Sequence, residues 1–151
     1  MTQQEYVASV TEQKVADLIA AYAKIPADKR DWSPGGNART ALDLYVECVI
    51  MNSYTVSMLQ THKWNDDNQS YEADKVAVAA LPVEEQTARL TTGIQTVAAI
   101  IRTVPDEALP VVIAMPWGNS TLSEVAEYSY WNMSYHEGQI NYIASILGVL
   151  E

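Results

Sequence analysis

An all-α fold, a four-helix up-down bundle, is the architecture this sequence predicts, and three observations predict it. Four long stretches place apolar residues at alternating steps of three and four, the spacing of one buried helix face. The segments between them carry Pro, Gly and Asn in place of that periodicity. The chain of 151 residues, 48% of them hydrophobic, can fill one sizeable core and is too apolar for disorder. Residues 1–151 are therefore expected to form a single domain.

The first helix is expected from about Thr2 to Lys24, with Val15, Leu18, Ile19, Tyr22 and Ile25 on its apolar face and Pro26 ending it. The loop from Pro26 to Asn37 holds Trp32, Pro34, Gly35 and Gly36, a composition for turns. A second helix is expected from about Arg39 to His62, through Leu42, Val46, Val49, Ile50 and Leu59. A polar break, Asn65 to Ser70, and a short helical turn within Glu72–Leu81 follow. Pro82 with Glu84 and Glu85 opens a third long helix, the proline suiting its first turn and the acids its dipole. Ile94, Val97, Ala98, Ile101 and Val104 mark its buried face, and Pro105 closes it. Residues Leu109–Asn119 are β-branched and proline-bounded, so they read as an extended segment and a turn. Asn119 or Ser120 is then expected to cap the last helix, with Glu124 in its first turns.

Charge narrows the partners. The 19 acidic and 9 basic residues give a net charge of −10, with no Lys/Arg cluster. Such a surface repels phosphates, so nucleic acid and anionic membranes are not expected partners. No apolar run reaches the ~18 residues of a membrane span, and Met1–Glu5 lacks the basic-then-apolar pattern of a signal peptide. The lone Cys48 excludes an internal disulfide and fits a reducing compartment, so a cytoplasmic location is expected. No P-loop, dinucleotide glycine set, paired-cysteine zinc motif or nucleophile elbow is present.

The chemistry concentrates on the last helix. Leu122, Ala126, Ser129, Met133, His136, Ile140, Ile143, Leu147 and Leu150 form its buried stripe, which places His136 among aliphatic neighbours and Asn132 one turn earlier. A core histidine hydrogen-bonded to a neighbouring helix accounts for this, and so does a ligand or catalytic histidine. Gly138, inside the same helix, costs about 1 kcal/mol relative to alanine, so a close approach to the backbone is expected there. On the second helix, Glu47 is the single carboxylate in the apolar run Tyr45–Met51, in line with Ile50, Met51, Tyr54 and Met58. A carboxylate in that position either reaches solvent or requires a cation, a metal or hydrogen-bond donors. His62 reads as an exposed residue at a helix C-terminus and Cys48 as inert packing. Trp32, Trp117 and Trp131 are possible rims of a pocket, with core packing as the alternative.

The segment Tyr135-His136-Glu137-Gly138-Gln139-Ile140 resembles the final-helix signature of the DinB/YfiT-like superfamily of four-helix bundles. The likeness extends to Trp32-Ser33-Pro34, the helix from Arg39 and the turn Pro116-Trp117-Gly118, and so covers most of the chain. It implies a metal site built from one histidine on the second long helix and two, four residues apart, on the last. His136 matches the second of that pair; Asn132 stands at the first, and Glu47 best matches the remaining position. The implied metal set is Glu47, Asn132 and His136, with one histidine retained. A carboxylate is a competent ligand, whereas an amide oxygen is a weak one for zinc or nickel and suits harder cations such as manganese. Either a divalent ion (Zn, Ni or Mn) joins the three, or Glu47 accepts a hydrogen bond from His136 in place of a metal. The resemblance implies a metal-dependent transferase or isomerase acting with a small thiol or other small molecule. The alternative is a non-catalytic small-molecule-binding or stress-associated bundle that has lost the histidine site. The resemblance also implies a homodimer.

Overall fold

Thr2 starts the first helix by accepting the backbone N–H of Glu5 at its hydroxyl, and α1 then runs Gln3–Ala23. The structure, a computed structural model, describes residues 1–64 and 68–150. Thr40 repeats the capping device on Asp43 and opens α2, Ala41–Thr61, which His62 closes in the left-handed conformation at φ 56°. Then come α3 (Asn68–Ala79), α4 (Val83–Ile101), a hairpin of β1 (Val112–Met115) and β2 (Gly118–Thr121), and α5 (Leu122–Leu147).

Four long helices form the bundle, as the periodicity predicts, and each segment between them adds something. Asn65–Asp67 of the expected polar break lie outside the described residues. Asn68 and Ser70 already belong to α3, so the expected short turn is a helix of 12 residues. Its C-terminal end is tied down by Gln86 of α4, whose Nε2 donates to the carbonyls of Val78 at 3.1 Å and Leu81 at 3.0 Å. Pro82 sits at the N-cap of α4, one position ahead of the first turn. The extended segment and turn at 109–119 are an antiparallel hairpin, with Met115 opposite Gly118. Gly118 has φ 139°, a conformation that side chains rarely adopt. Thr121 caps α5, in place of Asn119 or Ser120, because its hydroxyl and the Glu124 carboxylate reciprocally satisfy each other's backbone N–H groups.

Packing decides the order around the bundle. α1 lies against α4 and α5, and α2 lies against those same two helices, so α1 faces α2 across a diagonal, as α4 faces α5. Both diagonals are crossed by long connections, residues 24–40 and 102–121, which have the reach that a tight turn lacks. The core has two parts. One surrounds Leu18, Tyr22, Leu44, Tyr45, Leu90 and Ile140, and the other surrounds Val7, Met58, Val97, Ile101, Ile113 and Leu122. Tyr22 and Tyr45 stack at 4.0 Å in the first. No described helix is long and apolar enough to cross a membrane.

The two glycines inside long helices behave in opposite ways. Gly138 was expected to mark a close approach, yet a Cβ placed there meets nothing within 4 Å. The approach occurs at Gly93 of α4, where a Cβ would lie 2.9 Å from Nδ2 and 3.0 Å from Cβ of Asn52 on α2. Asn52 is buried, donates to the Cys48 carbonyl at 3.1 Å and accepts from Ser129 of α5 at 3.3 Å. That residue therefore joins three helices at one level.

Candidate functional site: a saturated carboxylate between three helices

The buried stripe of α5 places Asn132 and His136 one turn apart, with 2% and 3% of their surfaces exposed. Glu47 projects from α2 between them and the short helix α3, its side chain 14% exposed. The structure brings the three together. Asn132 Nδ2 donates to Glu47 Oε1 at 3.1 Å, and His136 Nε2 lies 3.0 Å from the same oxygen. The other carboxylate oxygen receives Arg39 Nη2 at 2.6 Å and the Tyr71 hydroxyl at 3.2 Å. Both oxygens of Glu47 thus have two partners each.

Two of these partners, Arg39 and Tyr71, and the groups around them carry signals that a reading of the apolar stripe passes over. Arg39, Asp43 and Glu47 recur every four residues at the start of α2, and Arg39 also pairs with Asp43. Tyr71 and Lys75 recur at the same spacing on α3, where Lys75 pairs with Asp43. Gln139 follows His136 by three, and its Oε1 lies 2.7 Å from His136 Nδ1. Charge alternation at helical spacing is a legible signal. That Tyr71 would meet Glu47 is not, because it depends on how α3 folds back over α2.

Electrostatics follow from this enclosure. Burial pushes the Glu47 carboxyl upward, but the hydrogen bond from His136, the charges of Arg39 and His136 and the Arg39 hydrogen bond outweigh it and hold the group at about 2. Burial and then the Glu47 charge push the Tyr71 phenol up, and the same two causes raise Tyr128 to about 12. The Cys48 thiol is raised by burial first and by Glu47 second, which leaves it a packing group.

The donor set does not fit a divalent ion. A carboxylate ionised in this way only accepts, so His136 Nε2 donates in this contact, and a metal would have to displace that hydrogen to reach the nitrogen. Asn132 turns its amide nitrogen to the same oxygen. Arg39 is a fixed cation at 2.6 Å from the carboxylate a metal would need. Among the described residues no group of three His, Cys, Asp or Glu side chains is arranged to hold an ion.

The remaining sequence candidates lie apart. His62 is exposed at the end of α2 and caps it through its backbone. The three tryptophans do not share one pocket rim. Trp32 packs against the first core cluster, Trp117 sits edge-on to Trp64 at 4.8 Å, and Trp131 stacks on Tyr135 at 5.3 Å.

Fold and site together define a four-helix bundle whose central polar residues are hydrogen-bonded to one another. Among solved structures, the chain is similar to YfiT from Bacillus subtilis, described as a probable metal-dependent hydrolase with an unusual four-helix bundle topology. The TM-score is 0.80 at 14% identity over 96% of this chain and 87% of that one. It is also similar to an uncharacterized protein from Clostridium difficile 630, with a TM-score of 0.75, 16% identity, and 97% and 98% of the two chains covered. A protein from Streptococcus pneumoniae aligns with a TM-score of 0.74 at 16% identity over 97% of this chain and 92% of that one. No protein-family model and no curated protein matches the chain.

Proposed function

We propose that this chain is a metal-independent, small-molecule-binding member of the four-helix-bundle fold it shares with YfiT. One observation carries the reading: every oxygen lone pair that Glu47 would offer a metal is directed at a protein donor, one of them a guanidinium. A divalent ion would have to displace Arg39 and strip the hydrogen from His136. Both oppose an ion, because each removes a partner from the partly buried Glu47 carboxylate. Glu47, Asn132 and His136 then act as a polar lock between α2 and α5. Ligand binding falls to the surface beside the lock, where Gln139 links His136 to a groove.

Metal-dependent hydrolysis, the description given to YfiT, and the thiol-dependent transfer implied by the family resemblance both need an ion at these residues. Elemental analysis of the purified protein separates the readings. Substoichiometric zinc, nickel and manganese, unchanged in His136→Ala, is the expected outcome, together with no rise in melting temperature when those ions and a small thiol are added. One equivalent of metal that disappears in His136→Ala would sink the proposal.

A further inference from the structure

From the half-buried Tyr128 a ladder of rings runs out along α5. Tyr128 and Trp131 lie 5.7 Å apart, Trp131 and Tyr135 stack at 5.3 Å, and the series resumes at Tyr142. Trp131, Tyr135 and Tyr142 are 54%, 53% and 70% exposed, an unusual concentration of aromatic surface on one helix. The rung between Tyr135 and Tyr142 is missing, and Gly138 stands there. No packing among the described residues requires that glycine, because the space where its Cβ would be is open.

The gap is the floor of a groove of about 450 Å³. Its other wall is the segment Pro34, Asn37, Ala38 and Arg39 leading into α2. Tyr135 and Tyr142 are about 10 Å apart along the helix axis, enough for one planar ring system to lie flat on the backbone between them. Gln139 supplies a directional contact: its Oε1 is engaged by His136, while among the described residues no acceptor is paired with its Nε2. The Arg39 charge is already met by Asp43 and Glu47, and the chain carries −10 overall, so nothing in the groove favours an anion. No carboxylate lines it to favour a cation.

We infer that this groove binds a neutral planar aromatic or heteroaromatic molecule bearing a carbonyl or amide oxygen. Its ring occupies the missing rung over Gly138, and its oxygen accepts from Gln139 Nε2. This names the ligand class of the small-molecule reading above and rests on it. Gln139 also holds His136, so an occupant of the groove would be felt at the ring nitrogen of His136 and, through it, at Glu47.

Three isosteric probes test the inference by amide NMR titration of the full chain: benzamide, benzoate and benzamidinium. Benzamide is expected to bind best and to shift the signals of Gly138, Gln139 and Tyr142. Gly138→Leu fills the missing rung, and its open surroundings let it fold. It should weaken benzamide binding by at least about tenfold, and Gln139→Leu should remove the preference for benzamide over the two charged probes. Equal binding by Gly138→Leu, a preference for benzoate or benzamidinium, or no binding by any probe would overturn the assignment. Shifts of these residues on dilution in place of benzamide would also do so, because they would assign the face to a second copy of the chain. Metal content is a separate readout. Absent metal with no probe binding defeats this site alone, whereas stoichiometric metal with benzamide still bound defeats the metal-independent reading alone.

Discussion

Glu47 and His136 stand 89 positions apart in the chain, and Glu47 Oε1 and His136 Nε2 meet at 3.0 Å between α2 and α5. Asn132 shares the oxygen on the same side, while Arg39 and Tyr71 hold the opposite one. The contact ties the N-terminal third of α2 to the middle of α5.

Glu47→Gln should therefore destabilise the protein by about 2 kcal/mol, measured as a lower urea midpoint with unchanged slope. The figure lies below that for a fully buried pair because Arg39 is 35% exposed and keeps Asp43. An unchanged midpoint would mean that the network contributes nothing net.

The same residue sets an acid dependence. Its folded value of about 2 lies below the ordinary ~4.3 of an unfolded glutamate, so folding favours its ionised form. Stability from that difference is fully present above the unfolded value and is lost as pH falls through the folded one, a window from roughly 4 to roughly 2. The gap in unfolding free energy between wild type and Glu47→Gln should shrink as pH is lowered across that window. A gap that stays constant from pH 5 downward would contradict the assigned ion pairs.

The two helical glycines should respond with opposite signs. Gly93→Ala puts a methyl 2.9 Å from the Asn52 amide, against a buried side chain held by its own hydrogen bonds, and should cost about 1–3 kcal/mol despite the gain in helix propensity. Gly138→Ala meets open space and should stabilise by about 1 kcal/mol. Thermal melts of the two variants check the pair; destabilisation by Gly138→Ala would reveal a constraint the open surface does not show.

Thr121→Ala removes half of the reciprocal cap on α5 and should cost about 1 kcal/mol. Ser120→Ala, one residue earlier, should cost close to nothing. A larger effect at Ser120 than at Thr121 would return the cap to the position expected from sequence.

Tyr71→Phe deletes the hydroxyl that reaches Glu47 from α3 and should cost about 1 kcal/mol. Hydrogen exchange should rise in α3 more than in α2, because α3 packs chiefly on α2 and loses one of its polar ties. Equal exchange in both helices would show that Tyr71 does not hold α3 in place.

The sequence by itself determined the four long helices, since apolar spacing and proline positions are local signals that survive in any arrangement of helices. It also placed Asn132 and His136 on one face of the last helix and Glu47 in line with the apolar residues of the second, because one residue's phase on a helix follows from its neighbours. The tertiary structure decided the rest. α1 and α2 being diagonal depends on packing among all four helices and on two long connections. Whether a glycine marks a close approach depends on what lies across from it, which is why Gly93 and not Gly138 faces a neighbour. The state of Glu47 depends on partners from α2, α3 and α5, and only their assembly shows that its oxygens are saturated. Helix phase is written within a few turns of sequence, whereas the filling of a carboxylate's lone pairs is a property of elements brought together from distant parts of the chain.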